Sequence, residues 1–427
     1  MKTGARRILL VGLCSAMVGA VISCSTDKST DTSDKIMDST ITDQLDSIVD
    51  AAVNSTGIPG AMVGIWGPDG NYVKVAGVSD TATKAPMETD FYHRIGSVTK
   101  TFTVTALLQL VDEGKIGLDD PISKYVDGVM EGDAISLRQL AGMRSGLVAY
   151  TTSEQFVMDV LSDPRRSFTS EELFGYVKDL PLQIRPGTTV DYSNTNTLLL
   201  GMVIEKVTGS TLSDVIDTKI TTPLGMEHTS FPTTNAFPNP HAQGYTNQTL
   251  DESVTAATDW NPSWGGAAGA MISSLDDMRI WVPALAKGDL LADDTQKQRL
   301  HTEPLGEGDD NSGYGLGLFN SGGWIGHNGS LPGYKTVSVY LPEKDTTLVV
   351  FINRHRRRDR PDQCFDGADH QVDQPGQRLR LITSGPIHNS DESDISGFDL
   401  SIGSTVDRSK PERGTHGIVE RLASRQR

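Results

Sequence analysis

The sequence predicts a fold of the α/β (α+β) class, with strands near both ends of the folded body and helices between them. Residues 61–66 and 72–76 flank a Pro-Asp-Gly turn in the manner of a β-hairpin. A second pair of strands, residues 336–341 and 347–352, lies far along the chain. A sheet that begins at the first pair and resumes only at the second implies that N-terminal and C-terminal segments pair, with the rest of the chain inserted between them.

The segment between the two strand pairs is rich in helical patterns. Ser136 and Thr169 each begin a segment of capping-box form, and apolar residues at helical spacing follow the second. We therefore expect a helical subdomain at about residues 116–265. It lies within one folded domain, residues 41–353, whose first helix is predicted near residues 41–53.

A Ser-x-x-Lys motif, Ser97 and Lys100, lies where a loop gives way to a long helical pattern. Residues three apart on a helix share a face, so the Lys100 ammonium can reach the Ser97 hydroxyl. A serine hydroxyl becomes a good nucleophile when a neighbouring base takes its proton. The first turn of the helix also presents backbone amides that favour an oxyanion. Alone the motif is weak, because a solvated helix start often has the same residues.

Two further motifs occur downstream of Ser97. One is Tyr-Ser-Asn at residues 192–194, which ends a loop and opens an apolar helix. The other is His-Asn-Gly-Ser at residues 327–330, which precedes the second strand pair. The three motifs together predict a catalytic site much more specifically than Ser-x-x-Lys does.

In this order and at roughly this spacing, the motifs resemble those of the penicillin-recognising serine hydrolases, which include class C β-lactamases, serine DD-carboxypeptidases and related esterases. The resemblance covers about residues 45–353. It includes an Arg-Ser-Gly-Leu turn at 144–147 and a Tyr-Gly-Leu-Gly-Leu run at 314–318. It implies a mainly antiparallel sheet flanked by helices, an inserted and largely helical domain, and a site in the cleft between them.

The resemblance gives a role to each catalytic candidate. Ser97 is expected to attack a carbonyl and form an acyl-enzyme that water then hydrolyses. Lys100 and Tyr192 are the expected proton-transfer pair, because a phenol with an ordinary pKa near ~10 needs a cation beside it to act as a base at neutral pH. His327 is expected to be a second donor, at the place where class C β-lactamases carry a lysine. The alternative for His327 is a structural strand histidine.

The residues expected to bind substrate are Asn194, Asn328, Gly329 and Ser330. Asn194 is expected to donate to the substrate's amide carbonyl and to help position Lys100. Gly329 would let the strand backbone approach the substrate closely. The backbone amides of Ser97 and Ser330 would form an oxyanion hole, in which each donor is typically worth ~3 kcal/mol in the transition state.

Two positions depart from the family pattern and bear on the substrate. Phe319 stands where related peptidases carry an arginine that holds a terminal carboxylate, and Met143 stands where histidine is common. We predict a serine hydrolase acting on D-alanyl-D-alanine-type peptides, such as cell-wall peptides, or on β-lactams. Phe319 makes a carboxylesterase with the same site a stronger alternative to the peptidase. A penicillin-binding lipoprotein without turnover is the alternative from another class.

The N-terminus has the pattern of a lipoprotein signal peptide. Basic residues precede an apolar run, and the predicted signal peptide, residues 1–23, ends directly before Cys24 in a lipobox-like context. We predict acylation of Cys24, a flexible tether over residues 24–40, and a lipid-anchored protein at the outer face of a bacterial cell membrane. An ordinary signal peptide with a chance cysteine is the alternative.

Composition excludes several classes of function. A net charge of −17 argues against nucleic-acid binding, because neutralising phosphates needs a basic face. The three cysteines and nine histidines show no metal-ligand spacing, so no metal and no cofactor are predicted. The oligomeric state is left open.

The segment after Asn353 has a different character from the rest of the chain. Residues 354–427 are rich in arginine, nearly free of lysine, and show no sustained helical or strand period. The family resemblance implies a closing amphipathic helix here, and the sequence contains none. We predict a disordered tail, or the product of a shifted reading frame.

Overall fold

The structure is a computed structural model that describes residues 35–306 and 311–355. Its helices are α1 (Ser39–Thr56), α2 (Thr99–Asp112), α3 (Leu137–Ala141), α4 (Glu154–Ser162), α5 (Ser170–Gly175), α6 (Asn194–Thr208), α7 (Leu212–Ile216), α8 (Thr222–Leu224), α9 (Gly266–Gly269), α10 (Leu275–Lys287) and α11 (Asp293–Leu300). Its strands are β1 (Gly60–Gly67), β2 (Gly70–Gly77), β3 (His93–Arg94), β4 (Tyr245–Thr246), β5 (Thr255–Ala256), β6 (Ile272–Ser273), β7 (Glu303–Pro304), β8 (Ser312–Tyr314), β9 (Phe319–Ser321), β10 (Trp324–Leu331), β11 (Tyr334–Leu341), β12 (Thr346–Ile352) and β13 (Arg354–His355).

Eight strands form one antiparallel sheet in the order β2-β1-β12-β11-β10-β9-β8-β7. The two ends of the folded body meet at β1 and β12, where Ala61 lies opposite Ile352 and Trp66 lies opposite Thr347. The predicted fold class, a sheet built from both ends of the chain and flanked by helices, is confirmed.

Both faces of the sheet are covered. Successive residues of a strand point to opposite faces, so Val349 and Phe351 of β12 join the main core with Trp281 of α10. Val350 and Ile352 point the other way and pack with the apolar side of α1. This explains why β12 is apolar at consecutive positions and not only at every second one.

The helices α2 and α6 pack together in the interior. Every residue of α2 from Thr99 to Leu108 is buried, and so is every residue of α6 from Asn194 to Gly201. A helix that is apolar on all sides belongs in a core. The threonines on α2 are accommodated there because their hydroxyls bond to carbonyls, as Thr101 does to Val98 at 2.7 Å and Thr103 does to Ala267 at 2.7 Å.

Between residues 116 and 265 the elements are the helices α3 to α8 and the short strands β4 and β5. The strand β13 continues two residues past Asn353 and pairs in parallel with β4. The predicted signal peptide, Cys24, the tether as far as residue 34 and the tail from residue 356 lie outside the described residues. In the part of the chain that the structure covers, no helix combines the length and the apolar character that crossing a membrane requires.

Candidate active site

Ser97 lies at the entrance to α2. It is the middle residue of a 3-10 turn, Gly96–Val98, that leads directly into the helix, and it is 3% exposed. Gly96 has φ of +54°, a left-handed conformation that side chains disfavour. The sequence predicted a helix beginning at or next to Ser97, and this turn is the local structure that ends the loop there.

Lys100 is completely buried and its ammonium bonds to the serine. Nζ donates to Ser97 Oγ at 3.0 Å and to the carbonyl of Ala268 at 2.8 Å. The carbonyl belongs to α9, a one-turn helix whose role the sequence did not reveal. A backbone carbonyl has no side-chain signature, so no sequence pattern could have identified this acceptor.

Tyr192 lies in the extended segment directly before α6. The Lys100 Nζ is 4.9 Å from the centre of its ring, within the range of a cation–π contact. The predicted nucleophile, Ser97, and the predicted proton-transfer pair, Lys100 and Tyr192, are thus brought together around the Lys100 ammonium group. The neighbouring carboxyl of Asp191 is half-buried, and burial raises its pKa. The Asp191 amide donates to the carbonyl of Met143 at 2.7 Å.

Polar residues in the first turn of α6 hold a neighbouring loop, residues 143–151. Asn194 Nδ2 donates to Thr151 Oγ1 at 3.0 Å, so one of its amide hydrogens is already used within the protein. The next residue, Thr195, donates to the carbonyl of Val148 at 2.7 Å. Tyr192 directly precedes this turn, and its position therefore depends on the loop.

A second pair of bonds joins the same loop to α6. Ser145, which is fully buried, donates its hydroxyl proton to Asn196 Oδ1 and accepts from the amide of Leu147 at 3.0 Å. Asn196 Nδ2 in turn donates to the sulphur of Met143 at 3.4 Å. The sequence indicated residues 144–147 only as a turn, and gave no sign that its serine binds α6.

Strand β10 approaches Ser97 from the other side. A Cβ placed on Gly329 would lie 1.9 Å from the carbonyl oxygen of Ile95 and 3.0 Å from the amide nitrogen of Ser97. A Cβ placed on Gly96 would lie 2.6 Å from the amide nitrogen of Ser330. Both positions therefore require glycine, and this close approach brings the backbone amide of Ser330 up to the turn that carries the backbone amide of Ser97.

His327 is fully buried, and both of its ring nitrogens lie near polar atoms. Nδ1 is 2.6 Å from the carbonyl oxygen of Asn328 and Nε2 is 3.0 Å from the hydroxyl of Tyr314. Its ring lies 6.2 Å from that of Tyr192. Burial raises the pKa of Tyr314. The sequence indicated this tyrosine only as part of a family-like run, since nothing local shows that it reaches a histidine.

Asn328 is a predicted site residue whose side chain lies apart from the cleft. It is opposite Val337 in the β10–β11 pair, and it lines a small depression with Val350 and Ile352 on the sheet face that carries α1. His327 and Gly329, its neighbours in the strand, point to the other face. The structure therefore brings Ser97, Lys100, Tyr192, Asn194, His327, Gly329 and the backbone amide of Ser330 around the cleft, while the side chains of Asn328 and Ser330 line the depression on the opposite face.

Serine hydrolases of the β-lactamase and penicillin-binding type combine an activated serine and lysine, three positions apart, with a sheet flanked by helices, and the chain is one of them. It belongs to the beta-lactamase family, whose model matches residues 45–369. The resemblance inferred from the three motifs is confirmed.

Similar proteins include hydrolases and penicillin-binding proteins. Protein flp of Staphylococcus aureus is 29% identical over 327 residues, 73% of this chain and 62% of flp, so the chain spans less than two thirds of that relative. Penicillin-binding protein 4* of Bacillus subtilis is 24% identical over 73% of this chain and 71% of its own length.

Two solved structures have a similar fold at higher coverage of their own chains. A D-stereospecific amidohydrolase from Streptomyces sp. is 32% identical with a TM-score of 0.68, over 73% of this chain and 94% of the other. A D-amino acid amidase from Ochrobactrum anthropi SV3, complexed with D-phenylalanine, is 29% identical with a TM-score of 0.66, over 74% of this chain and 92% of the other.

Proposed function

We propose that the protein is an acyl-enzyme serine hydrolase that opens amide bonds beside D-amino acid residues, with D-alanyl-D-alanine-type peptides and β-lactams as its substrates. The observation that carries this proposal is the 3.0 Å hydrogen bond between the buried Lys100 ammonium and Ser97 Oγ. The similarity to a D-stereospecific amidohydrolase, a D-amino acid amidase and a penicillin-binding protein supports the choice of substrate class.

The reaction proceeds in two halves. Ser97 Oγ attacks the carbonyl carbon, and its proton passes to the Lys100–Tyr192 pair. The carbonyl oxygen becomes an oxyanion that accepts bonds from the amides of Ser97 and Ser330. The carbon–nitrogen bond then breaks, and the pair returns the proton to the leaving amine. Water attacks the resulting ester in the same way, which releases the acid and restores the serine.

A carboxylesterase with the same site is the second candidate, and Phe319 favours it. This side chain is 9% exposed, lies 5.7 Å from the ring of His327 and packs with Met143 and Tyr314. An apolar residue there offers no partner to a substrate's terminal carboxylate, which suits neutral esters and amides better than free peptides. A penicillin-binding lipoprotein without turnover is the remaining alternative, in which the acyl-enzyme forms and persists.

The test is intact-mass spectrometry of the protein after incubation with a penicillin, alongside Ser97→Ala. We expect an adduct with the parent and none with the variant. Ser193→Ala is the matched control, because this buried serine lies beside Tyr192 and its hydroxyl has no hydrogen-bond partner in the structure. It should acylate like the parent. An adduct that survives in Ser97→Ala would refute the assignment of the nucleophile.

The lifetime of the adduct and a substrate comparison then separate the activities. Rapid loss of the adduct with product release indicates a β-lactamase, and persistence indicates a penicillin-binding protein. Turnover of D-alanyl-D-alanine peptides or D-amino acid amides supports the amidase proposal. Turnover of short-chain nitrophenyl esters alone would replace it with the esterase.

We also propose that the protein is exported and anchored through a lipid on Cys24. The support is the signal-peptide pattern of residues 1–23. Mass spectrometry of the mature N-terminal peptide from the producing bacterium should show acylated cysteine and a membrane-bound protein. Cys24→Ser should lose both. A soluble protein with an unmodified Cys24 would contradict the proposal.

A further inference from the structure

Tyr314 and His327 form a buried hydrogen-bonded pair beside the proposed catalytic tyrosine. Tyr314 is 1% exposed, and its hydroxyl lies 3.0 Å from Nε2 of the fully buried His327. The Tyr192 ring makes edge contact with Tyr314 at 6.0 Å and lies 6.2 Å from His327. The imidazole of His327 and the phenol of Tyr314 are therefore both neighbours of the Tyr192 ring.

The contacts of His327 determine where its first proton lies. Nδ1 is 2.6 Å from the carbonyl oxygen of Asn328, and a carbonyl can only accept, so Nδ1 carries a hydrogen. The remaining question is whether Nε2 also carries one. If Nε2 is bare, it accepts from the Tyr314 hydroxyl; if it is protonated, the tyrosine oxygen accepts from it.

The positive charge of Arg299 in α11 favours one of these two states over the other. Its guanidinium is fully buried and donates from Nη2 to the carbonyl of Thr101 at 3.1 Å. Arg299 and Tyr314 are close enough to interact electrostatically, and the pKa of Arg299, although burial lowers it to about 9, keeps the group charged at neutral pH. A cation near the phenol attracts its oxygen, which favours an O–H directed at Nε2, and it opposes a second positive charge on the imidazole.

The other groups around His327 do not reverse this preference. Tyr192 faces it from the segment before α6, and Phe319 of β9 contacts it with an apolar ring at 5.7 Å. Lys100 lies 4.9 Å from the centre of the Tyr192 ring and is also a cation. The Glu303 carboxylate, opposite Tyr314 in the β7–β8 pair, bonds to Arg144, and burial raises the pKa of Asp191 beside Tyr192 towards its neutral form. These groups favour an uncharged histidine.

We propose that Tyr314 is a positioning residue of the active site: by donating to Nε2 it holds His327 as the neutral tautomer protonated on Nδ1. His327 is then a neutral side chain that packs beside Tyr192 and gives no proton to the substrate. The positive charge next to Tyr192 comes from Lys100. The role in catalysis rests on the proposed hydrolase function, but the state of the histidine does not.

The test is NMR of the ring nitrogens of His327 in the full chain labelled with ¹⁵N-histidine, with His327→Gln used for assignment. We expect one protonated and one bare, hydrogen-bonded nitrogen between about pH 6 and pH 8, the range in which an ordinary histidine titrates around ~6.5. Tyr314→Phe keeps the ring and its packing but removes the donor. The Nε2 resonance should then move to that of a bare nitrogen without a donor.

Tyr334→Phe is the matched control. This tyrosine is also fully buried, and its hydroxyl donates to the carbonyl of Ala242 at 3.0 Å, away from His327. It should leave the His327 resonances unchanged. The proposal is overturned if His327 is doubly protonated in the parent at pH 7, or if Tyr314→Phe leaves Nε2 where it was.

Kinetics give an independent second readout. We expect Tyr314→Phe to lower kcat about tenfold, the effect of one hydrogen bond, while KM changes little. The activity of Tyr314→Phe should also fall more steeply than the parent's below pH 7, because Nε2 of His327 no longer accepts a hydrogen bond and gains a proton more easily. If the parent proves inactive on every substrate, the proposed function fails while the NMR result still decides the state of His327.

Discussion

The two sides of Ser97 are built by different means. On the helical side, the side chains of Lys100 and Tyr192 lie beside the serine, and side-chain hydrogen bonds such as Asn194 to Thr151 hold the helix turn that follows Tyr192. On the strand side, the backbone of β10 meets the Gly96 turn where no Cβ fits. Chemistry on the first side depends on which side chain is present, whereas geometry on the second depends on side chains being absent.

The largest effect should come from the helical side, with Lys100→Met. Methionine fills a similar volume but cannot take a proton, so we expect kcat/KM to fall by about 10³-fold or more. The free energy of unfolding should change by less than about 2 kcal/mol, because loss of the bond to Ala268 is offset by removal of a buried charge. Steady-state kinetics and thermal unfolding measure the two.

Lys219→Met is the control for this change. The Lys219 ammonium is more accessible and pairs with Glu113 far from the cleft, so its loss should leave activity unchanged. A Lys100→Met enzyme that keeps more than about a tenth of the parent activity would mean that Tyr192 or another base suffices.

On the strand side, Gly329→Ala tests the backbone approach. The added methyl would meet the carbonyl oxygen of Ile95 at 1.9 Å, so β10 must move away from the Ser97 turn. We expect kcat to fall by about 10²- to 10³-fold as the oxyanion donors separate. Gly175→Ala is the control, because nothing lies within 4 Å of the methyl it adds. Equal activity in the two variants would show that the oxyanion-hole donors are not the amides of Ser97 and Ser330.

The same contrast explains what could be predicted from the sequence. The hairpin of β1 and β2, the apolar helices α2 and α6, and the motifs at Ser97 and Tyr192 are local patterns of spacing and period. The strands β7 to β9 contain two or three residues each, too few to show a period. The carbonyl of Ala268 and the Tyr314 contact with His327 depend on residues far apart in the chain.

A smaller effect should follow from loosening the support of Tyr192 with Ser145→Ala. The change leaves Asn196 Oδ1 and the amide of Leu147 without this buried partner, which should cost about 1 to 3 kcal/mol of stability. We expect kcat to fall about tenfold because the loop no longer holds the first turn of α6 firmly. Chemical denaturation and kinetics at one temperature measure both.

A double-mutant cycle with Asn196→Ala shows whether the bond itself matters. If Ser145 acts through Asn196, the double variant should lose less than the two single variants added together. Strict additivity in both stability and kcat would mean that the two residues act separately, and the loop would then have no role in placing Tyr192.

The smallest effect on activity should come from replacing His93, a buried side chain of β3 that contacts β11 and β12. It stacks on Phe351 at 4.4 Å, and Nε2 lies 3.1 Å from the carbonyl oxygen of Lys335. Burial lowers the pKa of His93 from 6.5 to about 3. Between these values the unfolded chain binds a proton that the folded protein does not, so this histidine destabilises the fold as pH falls from about 6.5 towards 3.

His93→Phe keeps the stacked ring and removes the titrating group. Between pH 6 and pH 4 the parent should lose up to about 1.4 kcal/mol of unfolding free energy per pH unit more than the variant. Above pH 7, where His93 is neutral in both states, the two stability curves should run parallel. Urea denaturation at several pH values measures the difference. Parallel curves down to pH 4 would show that the folded protein accommodates a protonated His93. The contact between β3 and β11 would then not depend on a neutral His93.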